Sequence, residues 1–249
     1  MLQTDLLRAA IDDLYRTFSS YLLRERIDAC GHCHDSEDDR LIRSKELREL
    51  GVEELHRYIG DAIDLWGDEY DLRHFLPRIL ELCALDERLT DEFVDAPVLF
   101  AKFRLGNWGG WPIEEQEAVR RFLFALWESK LEREFQWDER PWSVVGEWLC
   151  AIGHAENDLT PYLEIWEAAG SSAAVGNLAH FIVSVEKELK EGTQWDPFWS
   201  DREAQFSQVL SWLVGTTVRQ KLITSSTSHL SPACLAWVKR ARATMELLA

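Results

Sequence analysis

The fold class of this chain is decided by the stretch VEELHRYIGDAIDLW, residues 52–66. Its apolar side chains recur every three or four residues, at Val52, Leu55, Ile59, Ala62 and Trp66. That spacing follows one face of an α-helix, because a helix completes a turn every ~3.6 residues. The stretch therefore predicts an amphipathic helix whose buried face runs as far as Trp66.

Four further runs with the same period lie C-terminal to this stretch. They cover residues 72–83, 119–126, 175–189 and 234–248. Pro77 interrupts the first run, and we expect it to kink or restart that helix because proline lacks a backbone N–H. No run of strict alternation, the pattern of a half-buried strand, occurs in the sequence. The periodicity therefore predicts an all-α protein.

Helix-start signals and short loops complete the fold prediction. Ser231-Pro232 and Asp196-Pro197 each place an N-cap residue before proline at the first helical position. No flexible linker divides the chain, so we expect a single α-helical domain over residues 1–249. The expected architecture is an irregular array of about ten helices, with HEAT-like stacking of helix pairs as the favoured arrangement.

The overall charge excludes some classes of partner. The 249 residues include 44 acids and 27 bases, a formal net charge of −17. That charge argues against nucleic-acid binding and against attraction to anionic membranes, and it suits a basic protein partner. The first residues carry no basic signal region, and the longest apolar run, near residues 181–183, is too short to span a bilayer. We therefore expect a cytoplasmic protein with reduced thiols.

The segment Cys30-Gly31-His32-Cys33-His34-Asp35 is the strongest chemical feature of the sequence. Cys30 and Cys33 with His34 form a candidate zinc site, with a fourth ligand from elsewhere, because thiolate and imidazole are preferred zinc ligands. Thiol redox chemistry is the weaker alternative, because no βαβ context is present and the acids that follow should raise the thiol pKa. An inert structural turn is the third interpretation.

A second candidate site is acidic. Asp61, Asp64 and Asp68 recur at helical spacing opposite the apolar stripe, within a region from Asp61 to Phe100 that holds 11 acids and only 3 bases. We expect these aspartates to share one helix face that binds a basic protein partner. Paired carboxylates could instead hold Mg²⁺ or serve acid–base chemistry, and the alternative to any binding role is a solvated helix face.

Two tryptophans flank a glycine pair in Trp108-Gly109-Gly110-Trp111. Their indole rings are candidate binding groups for a sugar or a peptide, since glycine permits close approach. The alternative is that both rings fill the seam between two helices, as tryptophan is usually buried. Phosphate-binding glycine loops and the common hydrolase and metalloprotease motifs are absent from the sequence.

Several segments resemble a family of uncharacterised soluble bacterial proteins. The likeness is carried by Asp28-Ala29-Cys30, by Trp66-Gly67-Asp68, and by the segment from His74 to Arg78 that follows the Cys-rich turn. Where family members carry a third cysteine, this chain has His32. The resemblance implies a bacterial cytosolic helical protein and gives no activity.

The sequence leaves two classes of function open. The first is a non-enzymatic interaction protein, of adaptor or immunity type, that uses its acidic surface. The second is a zinc-binding or thiol-redox protein centred on Cys30 and Cys33. No conventional catalytic triad supports an enzyme.

Overall fold

The computed structural model describes residues 5–86, 88–133, 142–225 and 230–248, and these ranges contain thirteen α-helices. No β-strand occurs in the described ranges. Two isolated bridges there pair Trp66 with Ala29 and with Ala62. The all-α prediction, with ten or more helices, is confirmed. None of the described helices is both long and apolar enough to cross a membrane.

The chain divides into two compact units, Met1–Leu126 and Trp127–Ala249, and the boundary falls within α6. That all 249 residues behave as a single domain stays a prediction.

The helices are, in chain order, α1 Asp5–Thr17, α2 Ser36–Ile42, α3 Val52–Asp61, α4 Glu69–Leu85, α5 Ala96–Leu105, α6 Ile113–Glu132, α7 Val144–Ala155, α8 Thr160–Ala168, α9 Ser172–Ser184, α10 Glu186–Glu191, α11 Glu203–Leu213, α12 Thr216–Thr224 and α13 Pro232–Leu247.

In the first unit, α3 packs against α2, α4 and α5. The apolar stripe of α3 faces this core, and Tyr58 lies on the same side, with no exposed surface. The Tyr58 ring contacts Phe75 of α4, with ring centroids 4.5 Å apart. Burial of each such side chain contributes about 1.5–3 kcal/mol, so these contacts fix α3 against its neighbours.

The helix predicted to run as far as Trp66 ends earlier, at Asp61. Ile63 follows with a φ of 71°, a left-handed conformation that a β-branched residue rarely adopts and a helix cannot contain. The backbone N–H groups of Leu65 and Trp66 both donate to the Asp61 carbonyl, closing a tight turn. Trp66 is buried as predicted, at 2% exposure, but from this turn and not from a helix face.

Helix α4 starts at a capping box. The Asp68 side chain accepts the N–H groups of Tyr70 and Asp71, and the Asp71 side chain accepts the Asp68 N–H. Pro77 lies inside α4, and the helix continues through it from Glu69 to Leu85. The predicted restart at Pro77 therefore does not occur. The capping box fixes the backbone directly after the Trp66 turn, because the side chains of Asp68 and Asp71 both accept backbone N–H groups.

The second unit is built around tryptophan. Trp127, Trp166 and Trp199 have no exposed surface. The Trp127 indole N–H donates to the Tyr162 carbonyl at 2.8 Å, so its one polar atom is satisfied. Helices α9 and α13 pack closely, and a Cβ added at Gly176 would lie 2.7 Å from the Cys234 sulfur. Trp127 is therefore a core residue of the second unit.

Candidate functional site

The segment that carries Cys30 and Cys33 is held against the turn that follows α3. The Cys30 N–H donates to the Leu65 carbonyl at 2.8 Å, and the Gly67 N–H donates to the Asp28 carbonyl at 2.7 Å. These bonds form the bridge between Ala29 and Trp66. Two stretches more than thirty positions apart in sequence are therefore fixed side by side, and the first cysteine has a defined backbone position.

The cysteines themselves lie on one turn after α1. The N–H groups of Cys33 and His34 both donate to the Cys30 carbonyl at 3.0 Å. Cys33 is exposed and Cys30 is half-buried. Cys30 and Cys33 therefore share one turn whose second cysteine faces solvent.

The two thiols have opposite electrostatic environments. The pKa of Cys30 is lowered, first by the His32 backbone N–H and then by the thiol and N–H of Cys33. The pKa of Cys33 is raised, first because its thiol donates to Cys30, then by burial and by the negative charges of Cys30 and Asp61. The expectation that nearby acids raise both thiol pKa values is therefore wrong for Cys30, where backbone donors decide.

His34 lies behind this turn, and its side chain is only 2% exposed. Its ring packs on Trp66, with centroids 4.4 Å apart. Nε2 is 3.3 Å from an oxygen of Asp61, and Nδ1 is 3.6 Å from an oxygen of Asp38. Neither ring nitrogen makes a hydrogen bond of acceptable geometry. The imidazole therefore joins the thiol turn to the end of α3 by packing and by proximity to two carboxylates.

Within the described ranges, no three His, Cys, Asp or Glu side chains converge into a group that could hold a metal ion. Cys30, Cys33 and His34 are neighbours on the turn, but they do not form such a group. Three other Cys and His side chains of the first unit, which are the candidates for a fourth ligand, lie in other environments. Cys83 is buried in α4, His56 bonds to the Val52 carbonyl, and His74 bonds to the Tyr21 carbonyl. Zinc binding at the turn stays a prediction.

The three aspartates of the acidic candidate site do not share a helix. Asp61 is the last residue of α3, Asp64 lies in the turn, and Asp68 is the N-cap of α4. The prediction of one common helix face is wrong because α3 ends at Asp61. Asp64 forms an ion pair with Lys102, and Asp68 forms one with Arg24, each at 2.8 Å. Two of the three negative charges are thus compensated.

The structure buries both tryptophans of the glycine loop. Trp108 and Trp111 are 5% and 3% exposed. The Trp111 indole N–H donates to the Gly106 carbonyl at 2.7 Å, and the rings of both tryptophans contact Phe103. Instead of presenting two indoles to a sugar or a peptide, the loop places them inside the first unit. This is the arrangement described by the alternative interpretation of the sequence.

Asp61 has a role at the thiols that the sequence did not reveal. It was predicted as part of a distant acidic face, yet its charge acts on Cys33 and its carboxylate lies against His34. The sequence feature that points to this contact is the glycine in Trp66-Gly67-Asp68, which lets the turn after α3 approach the segment that carries the cysteines. Gly67 adopts a φ of 75°, which favours glycine, and a Cβ there would lie 3.2 Å from Ile27, on the segment leading to the cysteines.

No protein-family model, no curated protein and no solved structure matches this chain. The resemblance to uncharacterised bacterial proteins stays a prediction.

Proposed function

We propose that the protein carries out thiol–disulfide exchange at the Cys30/Cys33 turn. One observation carries the proposal: Cys30 and Cys33 lie on one hydrogen-bonded turn, where Cys33 is exposed and Cys30 is half-buried. The lowered pKa of Cys30, caused first by the His32 backbone N–H, supports it. The thiolate is the nucleophile in disulfide exchange, and a neighbouring thiol resolves the mixed disulfide.

The reaction uses the two thiols in a fixed order. The Cys30 thiolate attacks one sulfur of an external disulfide, forms a mixed disulfide and releases the first external thiolate. Cys33 then loses its proton and attacks the Cys30 sulfur, which releases the second external thiolate. The net result is one Cys30–Cys33 disulfide and two reduced external thiols. Excess external thiol reverses both steps.

The surroundings of the turn support this order. The Cys30 backbone is anchored to Leu65, so the nucleophile keeps its position when it is attacked. Cys33 is exposed, which leaves it room to move onto the Cys30 sulfur. In the cytoplasm, where we propose that the protein acts, the thiol pool would keep the pair reduced until an oxidised partner arrives.

Trapping of the mixed disulfide tests the proposal. Reduced protein is mixed with a small neutral disulfide, quenched with acid and analysed by peptide mass spectrometry. The Cys33→Ser variant should accumulate a stable adduct on Cys30, whereas wild type should convert it to the Cys30–Cys33 disulfide. The Cys234→Ser variant is the matched control and should behave as wild type. Persistent adducts on both cysteines of wild type would contradict the proposal.

A second candidate is a non-enzymatic interaction protein of adaptor or immunity type with a basic partner. Asp35 and Asp61 favour it, because neither carboxylate pairs with a lysine or arginine among the described residues. Its support is weaker because Asp64 and Asp68 are compensated. The Asp61→Lys variant tests it: at low salt it should lose a basic partner that wild type retains in a pull-down.

A further inference from the structure

The bridge beside Cys30 leaves one backbone edge open. Ala29 faces Trp66 in an antiparallel bridge, and the two hydrogen bonds that flank this pair use the Cys30 N–H and the Asp28 carbonyl. Ala29 is therefore in a non-hydrogen-bonded position. Its own N–H and C=O point away from Trp66, because these groups alternate in direction along a strand.

The outward groups of Ala29 are accessible and unpaired. Ala29 is exposed, and neither its N–H nor its carbonyl makes a hydrogen bond to any residue that the structure describes. Exposed strand edges of this kind are templates on which another extended chain can pair. The open edge lies one residue before Cys30, so a chain that pairs with Ala29 also lies beside the nucleophile of the proposed exchange.

We infer that the disulfide exchanged at Cys30 and Cys33 is a cystine in an extended polypeptide segment, which pairs antiparallel with Ala29 through its main chain. This inference rests on the proposed function and names the class of substrate. A peptide backbone supplies the donor and the acceptor that Ala29 leaves unpaired, at the spacing of a strand pair, and a small disulfide has no such backbone.

Antiparallel pairing also brings the reacting sulfur atoms together. When one substrate residue exchanges both main-chain hydrogen bonds with Ala29, the residue before it lies opposite Cys30 in a non-hydrogen-bonded pair, whose Cα atoms are about 4.5 Å apart. A disulfide spans Cα separations of about 4.4–6.8 Å. A substrate cysteine opposite Cys30 can therefore form the mixed disulfide without leaving the strand.

The geometry singles out one N–H of the substrate. The residue that follows the substrate cysteine lies opposite Ala29 and donates its N–H to the Ala29 carbonyl. The N–H of the next residue points away from the edge. Backbone N-methylation at these two positions therefore compares a paired group with an unpaired one in peptides of equal composition.

Three uncharged cystine peptides test the inference on wild-type protein. The first is unmodified, the second is N-methylated on the residue that follows the cysteine, and the third is N-methylated on the next residue. Each rate constant for oxidation of the reduced protein is divided by that for free 2-mercaptoethanol with the same peptide, which removes the intrinsic reactivity of the disulfide. Loss of one main-chain hydrogen bond should slow the second peptide about fivefold, and the third should react like the first.

Equal normalised rates for the three peptides would overturn the inference, and so would equal slowing of the second and third. The proposed function would survive either result, because it requires only that the small neutral bis(2-hydroxyethyl) disulfide yields the Cys30–Cys33 disulfide.

The Ala29→Pro variant removes the outward N–H from the protein side. Proline is tolerated at a strand edge whose N–H faces solvent. The variant should react with the unmodified peptide about fivefold more slowly than wild type does, and with bis(2-hydroxyethyl) disulfide at the wild-type rate. A wild-type rate with the peptide as well would contradict the inference. The comparison of the three peptides on wild type does not depend on the folding of this variant.

Sedimentation separates the remaining occupant of the edge, which is a second copy of this chain. We expect wild type and Ala29→Pro to sediment alike at equal concentration. A wild-type dimer that Ala29→Pro dissociates would assign the edge to self-association and overturn the inference.

Discussion

The described cysteines outside α4 occupy two opposite environments. Cys30 and Cys33 lie on a solvent-accessible turn of the first unit, where backbone N–H groups lower the pKa of Cys30. In the second unit, burial raises the pKa of Cys150 in α7 and of Cys234 in α13. Because all four residues are cysteines, the difference shows that backbone hydrogen bonds and burial decide which of these thiols can react.

The largest expected effect is on the rate of thiol alkylation. Native reduced protein treated with iodoacetamide should be modified at Cys30 and Cys33 faster than at Cys150 by about a hundredfold or more, because burial removes both access and thiolate from Cys150. Peptide mass spectrometry over time measures each site. Comparable rates at all three sites would remove the distinction between the two environments.

Two tryptophan truncations sharpen the comparison. Trp66→Ala and Trp127→Ala should each lower the free energy of unfolding by about 3–5 kcal/mol, because each removes a fully packed large aromatic. Only Trp66→Ala should also reduce the difference in alkylation rate between Cys30 and Cys33, because the Trp66 ring packs on His34 of the thiol turn. Denaturant melts and alkylation of the folded variants provide the two readouts.

If both variants lose the difference between the Cys30 and Cys33 alkylation rates to a similar extent, general destabilisation, and not the local contact of Trp66, controls the reactivity of the thiols. Trp127 is the suitable control because it is equally buried and bonds to Tyr162 within the second unit.

The raised pKa of Cys150 and the lowered pKa of Cys30 should make the free energy of unfolding depend on pH in opposite ways. Because the folded-state pKa of Cys150 is raised, the unfolded chain loses this proton first, and stability should fall by up to about 1.4 kcal/mol per pH unit from about pH 8.5 upward. Cys150→Ala should flatten this alkaline fall in denaturant melts. Cys30→Ala should not, because a lowered folded-state pKa contributes stability that is lost as pH falls through it.

A steeper alkaline fall in Cys150→Ala than in wild type would contradict the assigned sign. Melts are compared below and above pH 8.5 in the same buffers, so that the fixed cost of the smaller side chain cancels.

The regular helices could be predicted from the sequence, because burial of one face imposes a period that is visible in the residues. The stripe at Val52, Leu55 and Ile59 occupies α3 as expected. The apparent continuation of the stripe to Trp66 does not belong to this helix. A tight turn places the Trp66 side chain in the core at the sequence spacing that a helix would also give. Periodicity cannot distinguish these two ways of burying Trp66.

The thiol site was only partly predictable. The spacing of Cys30 and Cys33 fixes their proximity on a turn. The environment that orders their pKa values comes from backbone hydrogen bonds and from Asp61, which is distant in sequence. These contacts depend on the bridge between Ala29 and Trp66, a long-range pairing of two irregular segments that carries no repeating pattern.

A redox titration tests the central claim most directly. Wild-type protein is equilibrated with mixtures of 2-mercaptoethanol and bis(2-hydroxyethyl) disulfide, quenched with acid, alkylated and analysed by peptide mass spectrometry. The account predicts one two-electron transition in which Cys30 and Cys33 form a disulfide together, while Cys150 and Cys234 stay reduced. If Cys30 and Cys33 remain separate thiols at the oxidising end of the series, the turn is not an exchange site and the account fails.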